Sequence, residues 1–447
     1  MTSLVRLVTS LLRSDRGNVA MIFAITLVPL ILAGGAGVDL ARYEAIRVEM
    51  QDGLDRGVLA AASLSQKQKT ADVLKSYMNN LSYGKDVVID FSEATALNSR
   101  KISATASYSI GTAFMHLAGV KTLTINTASS AEEAKQNIEL SLMLDMSGSM
   151  VGSKIKNLKV ASQQFIDQIL TDDTKDYTTI SVVPYAGHVN VGAAVFDKLN
   201  GKRLTAQSQP TNDPTYKNSC FELDSSSYGS DTIPAFKDRS NLPIFTHWNY
   251  KTTDKEKRWW WCPGEEDAIT YFSNDATYLK ARLGSLQLYD GTGTQNAVQW
   301  GYMLLNPASS AIVQAAIASG QMSSKFSNRP TKFGDADTMK VLVLMTDGAI
   351  TQQFRPNDYS RSPDLSPSNY TVSGNTATYL NNICTTAKAK GITIFTIGFE
   401  LGGDTAAING MKNCATSSAH FYQASGSGIG DAFKSISTSI RKLRLTQ

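Results

Sequence analysis

The chain changes its hydrophobic pattern three times. Residues 19–38 are an uncharged apolar run, about 30 Å long as a helix and enough to cross a bilayer. From Leu40 the pattern becomes periodic: Leu40, Tyr43, Ile46, Met50, Leu54, Val58, Ala61 and Leu64 recur at three- and four-residue spacing. That stripe predicts one continuous helix from residue 19 to residue 64, on the order of 70 Å long. Residues 66–130 read as a small α+β unit, with a helix over 70–81 and strands over 87–91, 102–110 and 123–128. A short helix is expected over 113–117, and 131–136 reads as a linker. Beyond it, apolar runs at 138–144, 178–185, 341–345, 392–399 and 420–423 alternate with amphipathic segments. The first of these is N-capped by Ser153 and buries Ile155, Leu158, Ala161, Phe165 and Ile169. Alternating strands and helices predict an α/β fold, a doubly wound parallel sheet with helices on both faces. Two stretches, about 200–290 and 350–375, break the alternation and read as insertions. Pro184 is expected to end the second strand, since it cannot donate to a ladder.

Charge orients the apolar run. Arg6, Arg13 and Arg16 precede it against the single Asp15, and Asp39, Arg42, Glu44 and Arg47 follow. A basic upstream flank predicts a cytoplasmic N-terminus over 1–18, a transmembrane helix over 19–38, and a remainder outside the cytoplasm. The rival, a cleaved signal peptide, is disfavoured by the length of the run and its poor cleavage candidates. A stalk and small unit then occupy 39–135, and a larger domain 136–447. A net charge of +4 on 447 residues is too small and too scattered to argue for nucleic acid.

The sharpest chemistry follows the first buried run of the larger domain. Asp145, Ser147 and Ser149 alternate around Gly148 at the carboxyl end of a strand. One carboxylate and two hydroxyls there are half of a hard-cation site. The pattern Asp-x-Ser-x-Ser resembles the metal-ion-dependent adhesion site of von Willebrand factor type A domains. The resemblance implies two further ligands downstream, a Thr on a Gly-rich loop and an Asp ending another buried strand. Thr292, in Gly291-Thr292-Gly293-Thr294, and Asp347, in Met345-Thr346-Asp347-Gly348, match them. Thr294 is the alternative to Thr292. The implied ion is Mg²⁺ or Mn²⁺, and the implied partner is a protein offering an Asp or Glu carboxylate.

A second resemblance covers the N-terminus. Arg16-Gly17-Asn18-Val19-Ala20 and Leu54-Asp55-Arg56-Gly57-Val58-Leu59-Ala60-Ala61-Ala62 are similar to the N-terminal region, here 16–64, of TadE/TadG-like proteins of tight-adherence (Flp) pilus systems. Val182-Val183-Pro184-Tyr185 and Val189-Asn190-Val191 also resemble the TadG-like members. Five residues after Gly17 stands Ile22, where processed pseudopilins of the system have Glu. The departure implies an uncleaved anchor. Together the resemblances imply a single-pass protein of the bacterial inner membrane, with a periplasmic metal-dependent binding domain that serves pilus assembly or anchoring. The alternatives are a surface adhesin for an extracellular ligand and a metal-dependent hydrolase.

No P-loop, Gly-x-Ser-x-Gly or His-Glu-x-x-His is present, and the four histidines are scattered. The reading is therefore not an enzyme. Four cysteines without C-x-x-C spacing predict disulfides Cys220–Cys262, within one insertion, and Cys384–Cys414, flanking one strand. Trp248, Tyr250 and Trp259-Trp260-Trp261 in the first insertion are either a binding surface or a satellite core. Both insertions are expected to rim the metal face.

Overall fold

The computed structural model describes residues 15–445 apart from 96–98, 205–217, 244, 246–259, 349–350, 352 and 359–369. Arg6 and Arg13 lie outside the described residues, as do Trp248, Tyr250 and Trp259. The chain divides into two compact units, Met1–Lys135 and Gln136–Gln447.

In the first unit the apolar run and the periodic stripe form one helix, α1 (Asp15–Ala62), which continues through Pro29. It is the one described helix long and apolar enough to cross a membrane. Its two halves differ in burial. Ile22, Phe23, Ile25, Val28 and Leu30 are exposed, whereas Met50, Leu54, Val58 and Ala61 are fully buried. The buried half packs with α2 (Thr70–Met78) through Val73, Leu74 and Met78, and with an antiparallel sheet β1 (Val88–Thr95), β2 (Ser99–Gly111), β3 (Thr122–Ala134). Ile102, Ala104, Ala106 and Ile110 alternate onto the helix side of β2, as a half-buried strand requires. β1 and β3 run longer than their apolar cores predict, because β2 pairs with each along its whole length. The expected helix over 113–117 is a single 3-10 turn, Met115–Ala118.

The second unit is built on a six-stranded sheet of order β11-β10-β7-β4-β5-β6. Its strands are β4 (Asn137–Asp145), β5 (Thr178–Tyr185), β6 (Thr270–Ser273), β7 (Thr338–Thr346), β10 (Thr393–Phe399) and β11 (Phe421–Ala424). A separate hairpin, β8 (Gln353–Pro356) and β9 (Tyr370–Ser373), follows β7. On one face lie α3 (Ser153–Ile169), α5 (Ala276–Ser285) and α10 (Ile429–Leu445). The other carries the short α4 (Ala193–Lys198), α6 (Thr294–Met303), α7 (Ser310–Ala318), α8 (Thr376–Ala389) and α9 (Thr405–Cys414). Successive residues of β4 feed opposite cores: Leu142 and Leu144 meet α3, while Met143 meets α6.

Five expectations need correction. The sheet is not wholly parallel, because β6 adds to β5 antiparallel at one edge. The first insertion is accordingly not all outside the fold, since its last part supplies β6 and α5. The helix α7 was not anticipated; Pro307 and the serines around it hide its short apolar run. Ser153 is the first helical residue of α3 and not its cap, Gly152 holding that position at φ 84°. Pro184 lies inside β5, which runs on to Tyr185. The missing N–H is tolerated there because β6 pairs only at Ile180 and Val182.

Both disulfides form, Cys220–Cys262 and Cys384–Cys414. The first belongs to a satellite core with Leu242, Phe245 and Trp261, against which Phe354 of β8 packs. Trp261 is fully buried, so for this residue the satellite-core reading holds, and Trp260 is half-buried. At the amino ends of β4 and β7, Glu139, Arg329 and Lys340 form a buried ionic cluster.

Candidate metal centre

β4 and β7 are parallel neighbours, so their carboxyl ends emerge side by side. β4 ends on Asp145, and Asp347 directly follows β7. Asp145 is completely buried and held by two donors: the Ser147 N–H to Oδ1 (2.8 Å) and Thr346 Oγ1 to Oδ2 (2.7 Å). The turn after β4 is a 3-10 turn, Gly148–Met150, which sets Ser147 Oγ 2.9 Å from Ser149 Oγ. Ser149 Oγ donates to Asp347 Oδ1 at 2.6 Å. Four of the five expected residues therefore form one connected cluster.

Thr292 reaches the same edge on a different loop. Tyr289 bridges to Ser147, and its N–H donates to Met146 C=O (2.9 Å). The Gly293 N–H donates to Ala186 C=O (2.7 Å). A Cβ on Gly293 would stand 2.0 Å from the Gly187 carbonyl oxygen, so only glycine allows this approach. Thr292 spends its backbone on Thr351, donating N–H to Oγ1 (3.0 Å) and accepting from Oγ1 (3.1 Å) and N–H (3.2 Å). Its hydroxyl takes part in none of these bonds. Thr294, by contrast, starts α6 fully buried, with its hydroxyl 3.5 Å from the Tyr185 OH.

Three participants escaped sequence reasoning. Lys154, in the first turn of α3, places Nζ 2.7 Å from Asp347 Oδ2 and 3.9 Å from Glu400 Oε2. Glu400 follows β10 at φ 52°, its Oε1 accepting from the Gly426 N–H at 3.0 Å. Thr346 holds Asp145 as described. A legible signal existed for Lys154 alone: a cation in a helix's first turn opposes the helix dipole and calls for an anion nearby. The expectation that the insertions rim this edge is met at one point, where Thr351, after β7, bonds Thr292. The nearby histidine is otherwise engaged: His188 is buried with Nε2 2.6 Å from Arg355 Nη2, and burial pushes its imidazole well below the ordinary range.

Among the described residues no group of three or more His, Cys, Asp or Glu side chains is arranged for a metal. Any ion here depends on hydroxyls, and the donor set fits a hard one. Burial and the neighbouring Asp347 charge push the Asp145 carboxyl up to about 7, as two carboxylates sharing one cation-poor site require. The Lys154 ammonium at the pair is shared with Glu400. Two carboxylates and three hydroxyls are oxygen ligands of the kind Mg²⁺ or Mn²⁺ takes.

Residues 17–64 match the family model described as "Putative Flp pilus-assembly TadE/G-like". The similarity is thus confined to the N-terminal segment. The comparison with curated proteins finds no match. Among solved structures, the chain is similar to the vWF domain of a type V pili tip protein from Porphyromonas gingivalis. That match has 16% identity and a TM-score of 0.36, and covers 69% of this chain and 96% of that one. It is also similar to the pilus adhesin SpaC from Lactobacillus rhamnosus GG, at 11% identity and a TM-score of 0.37 over 80% of this chain and 34% of the other. The pilus adhesin RrgA from Streptococcus pneumoniae matches at 10% identity and a TM-score of 0.34, over 80% of this chain and 49% of that one. The chain thus spans about a third to a half of these two adhesins. The fold described above stands on its own strand order and two-faced core.

Proposed function

We propose that this chain is a membrane-anchored, metal-dependent binding protein for assembly or anchoring of a tight-adherence (Flp-type) pilus. The TadE/G-like segment gives the pilus context. The observation that carries the binding role is the cluster of Ser147, Ser149 and Asp347 closed beside Asp145 at the carboxyl edge of the sheet. Asp145, Ser147, Ser149, Thr292 and Asp347 are the residues that would hold the ion. Bound there, a divalent cation supplies an electrophilic position for a partner's Asp or Glu carboxylate. The protein's own part is preorganisation: Thr346 and the Ser147 N–H fix Asp145, and the Thr292–Thr351 bonds fix the second loop. Lys154 keeps a positive charge on Asp347 that a partner carboxylate would also meet. We place the chain in the bacterial inner membrane, N-terminus cytoplasmic and second unit periplasmic. The two disulfides suit that oxidising compartment.

The test is capture of Flp-system proteins by the full chain in nanodiscs, in millimolar Mg²⁺ and in chelator. Capture is expected in Mg²⁺ only, and Asp347→Ala is expected to abolish it while leaving the melting temperature in chelator close to the parent's. Equal capture with and without metal would overturn the reading.

A further inference from the structure

The β2–β3 hairpin lies along α1, and three contacts give its direction. Near the end of α1 the Leu64 N–H donates to Glu133 Oε2 (2.7 Å). Further back along the helix, Gln51 Nε2 donates to the Ala128 carbonyl (3.0 Å). At the far end Asp39, just past the apolar run, accepts from the N–H groups of Ala113, Phe114 and Met115, each at 2.8 Å. The hairpin tip, residues 112–121, is thus pinned where the apolar run of α1 ends. Phe114 sits so close that a Cβ on Gly35 would be 2.4 Å from it. Gly35 lies three residues inside the run, about 4.5 Å below its end along the helix axis.

The composition of this tip is unusual for a solvent-exposed turn. Phe114, Leu117 and Val120 are 36%, 64% and 38% exposed, and Val38 and Leu40 on α1 are 49% and 50% exposed. His116 and the cation Lys121 are exposed beside them. Asp39 itself is buried with its oxygens saturated by amide donors. Apolar side chains flanked by a lysine, with the Asp39 carboxylate sealed away, match the boundary between headgroups and acyl chains.

We propose that the tip of the β2–β3 hairpin is a second membrane-contact site. Phe114, Leu117 and Val120 enter the leaflet around the end of the α1 span, and Lys121 faces lipid phosphate. The occupant is the bilayer itself, continuous with the surface that surrounds residues 22–38. This inference rests on the reading of α1 as a membrane anchor. It makes the first unit a foot with two points of attachment, so that the helix cannot swivel freely about its own axis.

The test uses full-length protein in phosphatidylethanolamine–phosphatidylglycerol liposomes, with single cysteines labelled with an environment-sensitive fluorophore. All four native cysteines are paired in disulfides and do not take the label. Leu117→Cys and Val120→Cys report the tip, Ile31→Cys the span and Thr105→Cys the outer face of the sheet. Lipid carrying a shallow nitroxide is expected to quench the Leu117 and Val120 probes at least twofold and the Thr105 probe not at all. A quenched Ile31 probe with tip probes that stay bright and open to aqueous iodide overturns the inference and leaves the anchor standing. Tip probes shielded from iodide but not quenched by lipid overturn it too, by showing that a second copy or another protein covers the tip. An Ile31 probe that lipid does not quench removes the anchor reading, and the inference with it.

Discussion

The two ends of β4 and β7 carry contrasting ionic clusters. At the amino ends Glu139 and Lys340 are register partners, and Arg329 completes the group, with side chains 1%, 4% and 1% exposed. Glu139 meets both cations and the Thr331 N–H (2.8 Å), while Arg329 also donates to Asn137 Oδ1 (2.6 Å) and the Tyr177 carbonyl (3.2 Å). Burial pushes both Arg329 and Lys340 below their ordinary values, and the Glu139 charge works the other way. At the carboxyl ends the balance reverses: two buried carboxylates face one ammonium that is 22% exposed. The same two strands thus end in a sealed cluster of one carboxylate with two cations and in an acidic cluster with a side open to solvent. A cluster sealed from solvent on every side can only hold the fold together. One left short of positive charge beside solvent can take up a cation.

The largest effect should come from breaking the sealed end. Glu139→Ala would leave two cations buried without their anion, and is expected to cost on the order of 3–5 kcal/mol. The check is chemical denaturation, in which added Mg²⁺ should not recover the loss. Complete rescue by metal would show the two ends to be energetically one site.

A pH series sharpens the contrast. The Asp145 carboxyl is raised from 3.8 to about 7 in the folded chain. Its contribution to stability is therefore full below about 3.8 and is lost as pH rises through about 7. In chelator this should remove roughly 2–4 kcal/mol between those limits. Metal needs the ionised form, so the Mg²⁺-induced rise in melting temperature should be larger at pH 8 than at pH 5.5. Asp145→Asn should flatten both trends. Identical Mg²⁺ shifts at the two pH values would break the link between this carboxyl and the metal.

The smallest expected effect belongs to Lys154. Its ammonium shares Asp347 with any incoming ion, so Lys154→Met should tighten Mg²⁺ binding about three- to tenfold. Calorimetric titration of the full chain reads this directly. Unchanged or weaker binding would mean that the lysine supports the site and does not compete for it.

Much of the fold was legible along the chain. The buried runs that became β4, β5, β7 and β10 stand out because a strand covered on both faces must be apolar throughout. The stripe from Leu40 to Ala61 was equally plain, because one helix face meets one small sheet. Asp145, Ser147 and Ser149 were readable as a unit since they lie within five residues, and Asp347 was expected through a family resemblance. The disulfide pairs followed from which elements each cysteine flanks.

Other features were decided only by tertiary approach. β6 has four residues and no pattern of its own; the unpaired edge of β5 makes it a strand. Lys154 and Asp347 are separated by nearly half the chain, and only the adjacency of β4, β7 and α3 brings them within 2.7 Å. Trp261 carries the same aromatic signal whether it anchors a partner or fills a core, and the Cys220–Cys262 loop with Phe354 settles that it fills one. The hairpin tip at Asp39 is likewise invisible in sequence, because its meaning depends on which turn of α1 it reaches. Periodicity and short motifs report what a residue needs from its immediate chain neighbours. Which distant groups meet those needs is set by strand order and by close approaches such as Gly293 on Gly187, and no local pattern encodes these.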